Sequence, residues 1–396
     1  MNSEERESTY FFHTYKRIPL EIDRGEGMYV FSKDGRRYLD MFSGLAVNAL
    51  GYAHPKVLGA INDQAKRFIH LSNYYIQDPQ LQLAELLVKH SGYKKIFFSN
   101  SGTESIEGAL KICRKWSAPR GKTTIISFTN AFHGRTMGAL SIMDRPKYRD
   151  GFAPFLPNCC VIEFNNVESL RKAINTGTAA IVLEFIQGEG GIVPVTPDFV
   201  DAIKVLKEKF GFLIVADEIQ AGLGRTGKFF GFQHYTIAPD IVVMAKPIGG
   251  GLPLGAILGN DGVANILEPG THGTTFGGNP VACAAGVATV QEIISQNLIQ
   301  NAEIMGNYLR SSLLELQKEF PVLVKDIRGY GLMMGMELTR EGDTIVAMLR
   351  EKGILLNCTN TNVLRFLPPL IVREDHIRET ILRIRETFRT LSAGTI

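Results

Sequence analysis

Short apolar runs alternate along the middle of the chain with loops of small or polar residues and with segments of helical periodicity. Ile96 to Phe98 reads as a buried strand, and beyond the loop Ser99-Asn100-Ser101-Gly102-Thr103 the residues Ile106, Ala109, Leu110 and Cys113 fall on one helix face. Phe199, Ile203, Leu206 and Phe210 mark a second amphipathic helix, which leads into a strand at Leu213 to Ala216. Strand, loop and helix repeating in this way predict an α/β fold built on a mostly parallel sheet. From about Ile294 the pattern changes to a long amphipathic helix, Gly-rich β segments over 327–338 and 363–371, and a terminal helix. A smaller α+β domain is expected there. The expected division is an N-terminal segment, 1–55, packing with the small domain, a large α/β domain over 56–293, and the small domain over 294–396.

Four of the buried-strand candidates run directly into chemically loaded residues. Thr124 to Phe128 precedes Phe132-His133-Gly134-Arg135, Ala179 to Leu183 precedes Glu184, Leu213 to Ala216 precedes Asp217, and Ile241 to Ala245 precedes Lys246. Open α/β sheets bind ligands at the carboxyl ends of their strands. The four segments are therefore expected to converge on one site.

Composition narrows the class of function. Apolar residues make up 45% and charged residues 21% of 396, as in a globular enzyme. The 43 basic and 40 acidic residues are interspersed, so nucleic acid is not implied as a partner. Five cysteines without CxxC spacing suggest neither a disulfide framework nor a zinc site. The stretch Met1 to Tyr10 is polar and acidic, unlike a targeting segment, and no run of about 20 apolar residues predicts a membrane span. A cytoplasmic protein is expected.

Gly222-Leu223-Gly224-Arg225-Thr226-Gly227-Lys228 satisfies GxGxxG and nearly satisfies Walker A. Its context fits neither nucleotide motif. Phe229 stands where Walker A needs Ser or Thr, and Phe229-Phe230-Gly231-Phe232 reads as turn and aromatic packing rather than a helix. Ser101-Gly102-Thr103 lies where strand turns into helix, which makes either a phosphate cradle or a plain helix cap. Lys246, after an apolar strand and before Pro247-Ile248-Gly249-Gly250-Gly251, is costly to bury as an ammonium and is a Schiff-base candidate. A buried Asp217 needs a cationic partner, which a protonated pyridine nitrogen would supply. His54, His133 and His272 lack a second ligand at metal spacing, so they read as scaffold, turn or interface residues and no metal is expected.

Seven segments taken in order resemble one family: Ser99-Asn100-Ser101-Gly102-Thr103-Glu104, Phe132-His133-Gly134-Arg135-Thr136, Glu184-Phe185-Ile186-Gln187-Gly188-Glu189-Gly190-Gly191, Asp217-Glu218-Ile219-Gln220, Ala238-Pro239-Asp240, Ala245-Lys246 and Gly273-Thr274-Thr275-Phe276-Gly277-Gly278-Asn279-Pro280. That family is the class III (ω-amino acid) aminotransferases. The chain is most similar to the acetylornithine aminotransferases, with ornithine aminotransferases next. The resemblance implies a fold-type-I enzyme using pyridoxal 5'-phosphate, with Lys246 as the Schiff-base lysine and Asp217 on the pyridine nitrogen. It also implies Gln220 near the phenolic oxygen, Phe132 on the ring face, and Ser101, Gly102, Thr103, Glu218 and Ile219 around the cofactor. Thr275 would hold the phosphate of another subunit, so a homodimer with shared active sites is implied.

For the substrates, the resemblance implies Arg135 and Arg365 as carboxylate-binding residues, Glu184 as a residue that pairs with Arg365 during the amine half-reaction, and Thr274 beside the acyl-amino group. Tyr29 would also meet substrate. The implied reaction moves the δ-amino group of N-acetylornithine, or its N-succinyl analogue, to 2-oxoglutarate and forms glutamate, as in arginine biosynthesis. Leu45 stands where ornithine aminotransferases carry Tyr. An apolar Leu tolerates a neutral acylamino group and leaves an ammonium poorly solvated. Ornithine or 4-aminobutyrate remain the alternative donors, and a nucleotide-binding protein using residues 222–228 is the alternative from another class.

Overall fold

A computed structural model describes residues 3–394. Its centre is a seven-stranded sheet made from β1 (Lys95–Ser99), β2 (Thr124–Phe128), β3 (Cys159–Ile162), β4 (Thr178–Leu183), β5 (Leu213–Asp217), β6 (Ile241–Met244) and β7 (Gly255–Gly259). The spatial order is β1-β7-β6-β5-β4-β2-β3. Only β7 runs against the others, pairing antiparallel with both β6 and β1. All residues of β4, β5, β6 and β7 are buried, which is why these strands read as continuous apolar runs rather than as alternation.

Helices cover both faces of this sheet. Helix α1 (Gly102–Ser117) turns Ile106, Ala109, Leu110 and Cys113 inward, and the Ser101 side chain caps it by accepting from the Glu104 amide at 3.3 Å. Pro197–Phe210 buries Phe199, Ile203 and Leu206 and stops at Gly211, whose φ of 61° a side chain would resist. Burying each such apolar side chain contributes about 1.5–3 kcal/mol.

A second sheet joins the two ends of the chain. Its strands Ile22–Glu26, Tyr29–Ser32 and Arg37–Asp40 are completed by Ile354–Leu355, which pairs in parallel with Leu39 and Asp40. A third, antiparallel sheet contains Val324–Tyr330, Met333–Leu338, Val363–Phe366 and Asn357–Thr359. Helix Glu374–Ser392 closes the chain. Among the described residues, no helix is long and apolar enough to cross a membrane.

The structure refines three sequence expectations. Strand β7 was not foreseen, because five residues bounded by glycines carry too short a pattern. The helix expected from Ile294 is two helices, Pro280–Ser295 and Leu298–Glu319, separated where Asn297 turns left-handed at φ 53°. The β segment expected over 363–371 ends at Phe366, and the prolines that follow cannot donate to a ladder.

Candidate active site

Neighbouring strands β4, β5 and β6 are parallel, so the residues that end them emerge at the same edge of the sheet. Glu184 follows β4, Asp217 ends β5, and Lys246 comes two residues after β6. The loop after β2 brings Phe132, His133 and Arg135 to the same place. All of these residues line one cavity of about 450 Å³. Lys246 begins a tight turn with φ 35°, a conformation that aims its side chain off the strand.

The floor of the cavity is a buried charged network. The Asp217 and His133 side chains meet at 2.7 Å between Oδ2 and Nδ1, and Asp217 Oδ1 accepts the Ile219 amide at 3.1 Å. Burial works against the His133 cation, yet its bond to Asp217 and the charge of that carboxylate lift the imidazole above its ordinary value. Glu184 accepts the amides of Phe132 and Gly188 at 3.0 and 2.9 Å. Burial, reinforced by the neighbouring Asp217 charge, pushes Glu184 up to about 7. Burial, followed by the Arg365 charge, brings the Lys246 ammonium down to about 8. Its amine is consequently within reach of the neutral, nucleophilic form near neutral pH.

One end of the floor is an anion cradle. Ser101, Gly102 and Thr103 line the cavity where α1 begins, so unpaired backbone N–H groups and the positive end of the helix dipole face it. Space there is closed to larger residues. A Cβ on Gly102 would lie 2.7 Å from Ile219 Cδ1, and one on Gly134, at φ 131°, would collide with Thr103. Thr103 Oγ1 is held by the Thr136 hydroxyl at 2.9 Å.

The opposite wall carries a guanidinium. Arg365, in Val363–Phe366, is 1% exposed and bonds through Nη1 to Glu189 Oε1 at 2.6 Å. Its Nε donates to Asn357 Oδ1 at 3.2 Å. Burial would raise the Glu189 carboxyl, but Arg365 bonded to it holds it below its usual range. Arg135 has no ion-pair partner among the described residues and lies over the Tyr148 ring, 3.8 Å from its centroid.

The family model described as Aminotransferase class-III matches residues 10–388. The chain is a class-III aminotransferase. It is 43% identical to an acetylornithine aminotransferase of Aquifex aeolicus, over 96% of this chain and 99% of that protein. Its identity to the acetylornithine aminotransferase of Methanocaldococcus jannaschii is 44%, over 96% of each chain. Among solved structures, an ornithine aminotransferase of Toxoplasma gondii superposes with a TM-score of 0.93 at 32% identity, covering 100% of this chain and 97% of that one. An acetylornithine aminotransferase from Elizabethkingia anophelis superposes with a TM-score of 0.87 at 31% identity, over 98% of each chain. The fold is accordingly fold-type-I, and the enzyme depends on pyridoxal phosphate, the group that a second structure of the Toxoplasma gondii protein describes at its active site.

The residues of the aminotransferase fit that group. The cradle at α1 suits a phosphate, the desolvated Lys246 amine suits an aldehyde carbon, and the Asp217 carboxylate suits a protonated ring nitrogen. Of the residues expected around the site, Ser101, Gly102, Thr103, Phe132, Arg135, Glu184, Asp217, Ile219, Gln220 and Lys246 line the cavity. Arg365 joins them through Glu189, and its Nη1 also lies 3.4 Å from Gln220 Oε1.

Other expected residues lie elsewhere. Glu184 does not pair with Arg365, because its two oxygens are taken by the Phe132 and Gly188 amides, and Glu189, five residues on, makes the ion pair instead. Glu218 is buried behind the cavity, where it accepts the amides of Gly231 and Phe232 at 2.7 and 2.9 Å and so holds a loop. Tyr29 lines a separate groove with Arg37 and His376. Leu45 is half-buried in a turn two residues before Val47, and Val47 is the one that lines the cavity. Thr274 and Thr275 line a surface cavity with His70 and Phe97, apart from Lys246. The sequence reading missed Glu189 as the partner of Arg365 and gave His133 only a scaffolding part. Glu189 was within the quoted motif, whereas His133 meets a carboxylate 84 positions away, which no local pattern announces. Among the described residues, no group of His, Cys, Asp or Glu is arranged to hold a metal ion.

Proposed function

We propose that the aminotransferase moves the δ-amino group of N-acetyl-L-ornithine to 2-oxoglutarate, giving N-acetylglutamate 5-semialdehyde and glutamate. The observation that carries this reading is the Arg365–Glu189 pair on the wall facing Lys246. A guanidinium grips a carboxylate through two parallel hydrogen bonds, and Glu189 covers it when the donor presents an amine at the end of its chain. The acyl group is supported by the relatives at 43 and 44% identity and by the apolar Val47 at the cavity. Both of those relatives are acetylornithine aminotransferases.

Bound pyridoxal phosphate supplies the electron sink that makes the amine-bearing C–H bond acidic. Gly102 and Thr103, at the start of α1, would hold its phosphate, with Phe132 and Ile219 at the faces of its ring and Asp217 keeping its ring nitrogen protonated. His133 holds Asp217 in position through the 2.7 Å bond. Lys246 Nζ, neutral once freed, would take the proton from the amine-bearing carbon and pass it to the cofactor carbon that accepts the amine. Arg135 binds the donor's α-carboxylate. Glu189 releases Arg365 for 2-oxoglutarate, so one pocket serves two substrates of different length. Two half-reactions on one site give ping-pong kinetics.

The active unit is proposed to be a homodimer. Ile69, Tyr74, Tyr75, Ile76 and Phe276 are exposed near the cavity that holds Thr275, which supports a second copy covering this face and taking Thr275 as a phosphate ligand. Sedimentation should give twice the chain mass of 43.8 kDa.

The test compares kcat/KM for acetylornithine, succinylornithine, ornithine and 4-aminobutyrate with 2-oxoglutarate as acceptor. Acetylornithine should lead, and a preference for ornithine or 4-aminobutyrate would reject the acyl donor. An ornithine aminotransferase is the second reading, favoured by the 0.93 TM-score to the Toxoplasma gondii enzyme.

A further inference from the structure

The glycine-rich loop 222–228 contains a buried cation that the reaction does not use. Arg225 is 2% exposed, and among the described residues no carboxylate pairs with it. Its Nη1 donates instead to two carbonyls, that of Leu332 at 3.3 Å and that of Pro368. Its own carbonyl accepts the Leu332 amide at 3.0 Å. Burial draws the guanidinium down to about 9, so it remains protonated at neutral pH. Desolvating an unpaired cation is costly, and an apolar side chain of similar volume would fill the space more cheaply. What the guanidinium provides is one buried nitrogen, Nη1, that ties together two carbonyls from separate segments.

Those segments lead to the active site. Pro368 lies three residues beyond Arg365, in the stretch Arg365-Phe366-Leu367-Pro368-Pro369-Leu370. On its other side the same stretch is tied to the N-terminal part: the Leu367 amide donates to Met41 O at 2.8 Å, Ser43 Oγ to Leu367 O at 2.6 Å, and the Leu370 amide to Ala49 O at 2.7 Å. The loop is also locked against the turn at Gly331, where φ is 52° and a Cβ would collide with the Thr226 backbone. His234 adds a bond from Nε2 to Thr226 O at 3.1 Å and stacks on Tyr330 with ring centroids 4.3 Å apart.

We propose that Arg225 is a positioning residue: it clasps the carbonyls of Leu332 and Pro368 and thereby fixes the strand end from which Arg365 reaches the acceptor's carboxylate. The proposal rests on the reading of Arg365 as the carboxylate grip. It gives the segment that resembles a nucleotide loop a mechanical part in acceptor specificity. A misplacement of about 1 Å at a gripping group costs on the order of 100-fold in rate or binding.

The experiment is a double-mutant cycle in the holoenzyme with Arg225→Lys, Arg225→Met, Arg365→Lys and the Arg225→Lys/Arg365→Lys pair. Arg225→Lys should raise KM for 2-oxoglutarate, and the dissociation constant of the unreactive dicarboxylate glutarate, roughly 10- to 100-fold. The kcat and the near-visible absorption of the cofactor should stay within about twofold. Because Arg225 acts through Arg365, the double variant should bind glutarate no worse than Arg365→Lys alone. Independent, multiplicative losses would overturn the proposal, as would a lower melting temperature with unchanged glutarate binding in Arg225→Lys. Arg225→Met removes the donor altogether and should weaken glutarate at least as much as the Lys variant if it folds. If Arg365→Lys leaves glutarate binding unchanged, the reading of Arg365 fails first. If Arg365→Lys weakens glutarate and Arg225→Lys does not, only the clasp fails.

Discussion

Lys246, Asp217 and Glu184 stand within two residues of the ends of parallel strands, whereas Arg365 sits one residue before the end of an antiparallel strand whose continuation, Leu367 and Pro368, is held by irregular backbone on both sides. The floor inherits its precision from the ladder of β4, β5 and β6. Arg365 itself is laddered opposite Gly335 and Asn357, but the stretch beyond Phe366 is not. That stretch depends on Arg225, on Ser43, and on a turn over Ser43–Ala46 in which all four residues have positive φ, from 47 to 67°. The contrast matches the two tasks. Groups that meet the reacting atoms gain from rigidity, while a wall that must accept two substrates gains from a pair that opens.

The largest effect tests the floor. Lys246→Ala should lower kcat/KM by roughly 10⁴-fold and abolish the borohydride-sensitive near-visible band, because both the amine and the proton carrier are lost. A variant that kept the band would move the cofactor's attachment to another lysine. The same residue predicts a pH dependence. Its folded value, about 8, lies below that of a free lysine, so the neutral amine appears as pH rises through about 8. Capture of pyridoxal phosphate by the apoprotein should therefore accelerate between about pH 7 and 9. In stability the sign is the reverse of a gained salt bridge: a depressed value favours the fold above the free-lysine range and withdraws that contribution as pH falls through about 8. A capture rate that rises only near pH 10 would place Lys246 in water.

Next in size is Asp217→Asn, which removes the charge opposite the ring nitrogen and should cost about 10²- to 10³-fold in kcat. His133→Phe should cost less, on the order of tenfold, since Asp217 keeps the Ile219 amide at 3.1 Å. Equal losses in the two variants would mean that His133 does more than hold the carboxylate.

The wall should respond differently. Glu189→Gln removes the negative partner of Arg365, so free Arg365 should attract α-carboxylates during the donor half-reaction and raise α-amino transfer about tenfold relative to δ-amino transfer. Glu184→Gln should not have this effect, because Glu184 is occupied by backbone amides. Product analysis with free ornithine, whose α- and δ-amines are both open to transfer, decides between them, and a shift confined to Glu184→Gln would restore the pairing that the sequence suggested.

How much was legible follows the same division. Strand ends could be read because a buried strand leaves a continuous apolar run, and the polar residue after it is conspicuous. Asp217 and Lys246 were found in this way. The partners could not be read: Glu189 and Arg365 are separated by 176 positions, and choosing between Glu184 and Glu189 needed the direction in which each carboxylate points. Tyr29 was named from the resemblance alone, and in this chain it lines a groove with Arg37 and His376 rather than the cavity of Lys246. The turn at Ser43–Ala46 left one faint mark, Gly44, and its other residues have no preference for positive φ.

That turn supplies the smallest prediction. A non-glycine residue in left-handed backbone costs about 1–2 kcal/mol, and Leu45 holds φ 66° and ψ 46°. The turn persists because the Asp40 carboxylate accepts the amides of Phe42 and Ser43 at 2.8 and 2.9 Å while Tyr52 donates to its second oxygen at 2.7 Å. A β-branched residue tolerates this backbone worse than Leu, and Asn tolerates it better. Leu45→Val should therefore lower stability by about 1 kcal/mol, a fall of roughly 1–2 °C in melting temperature for a chain of this size. Leu45→Asn should fall less, although it gives up more apolar surface. The order of the two variants carries the argument, because burial alone predicts the opposite order. If Val is the better tolerated of the two, the left-handed turn is not what holds the wall, and Leu45 acts through packing alone.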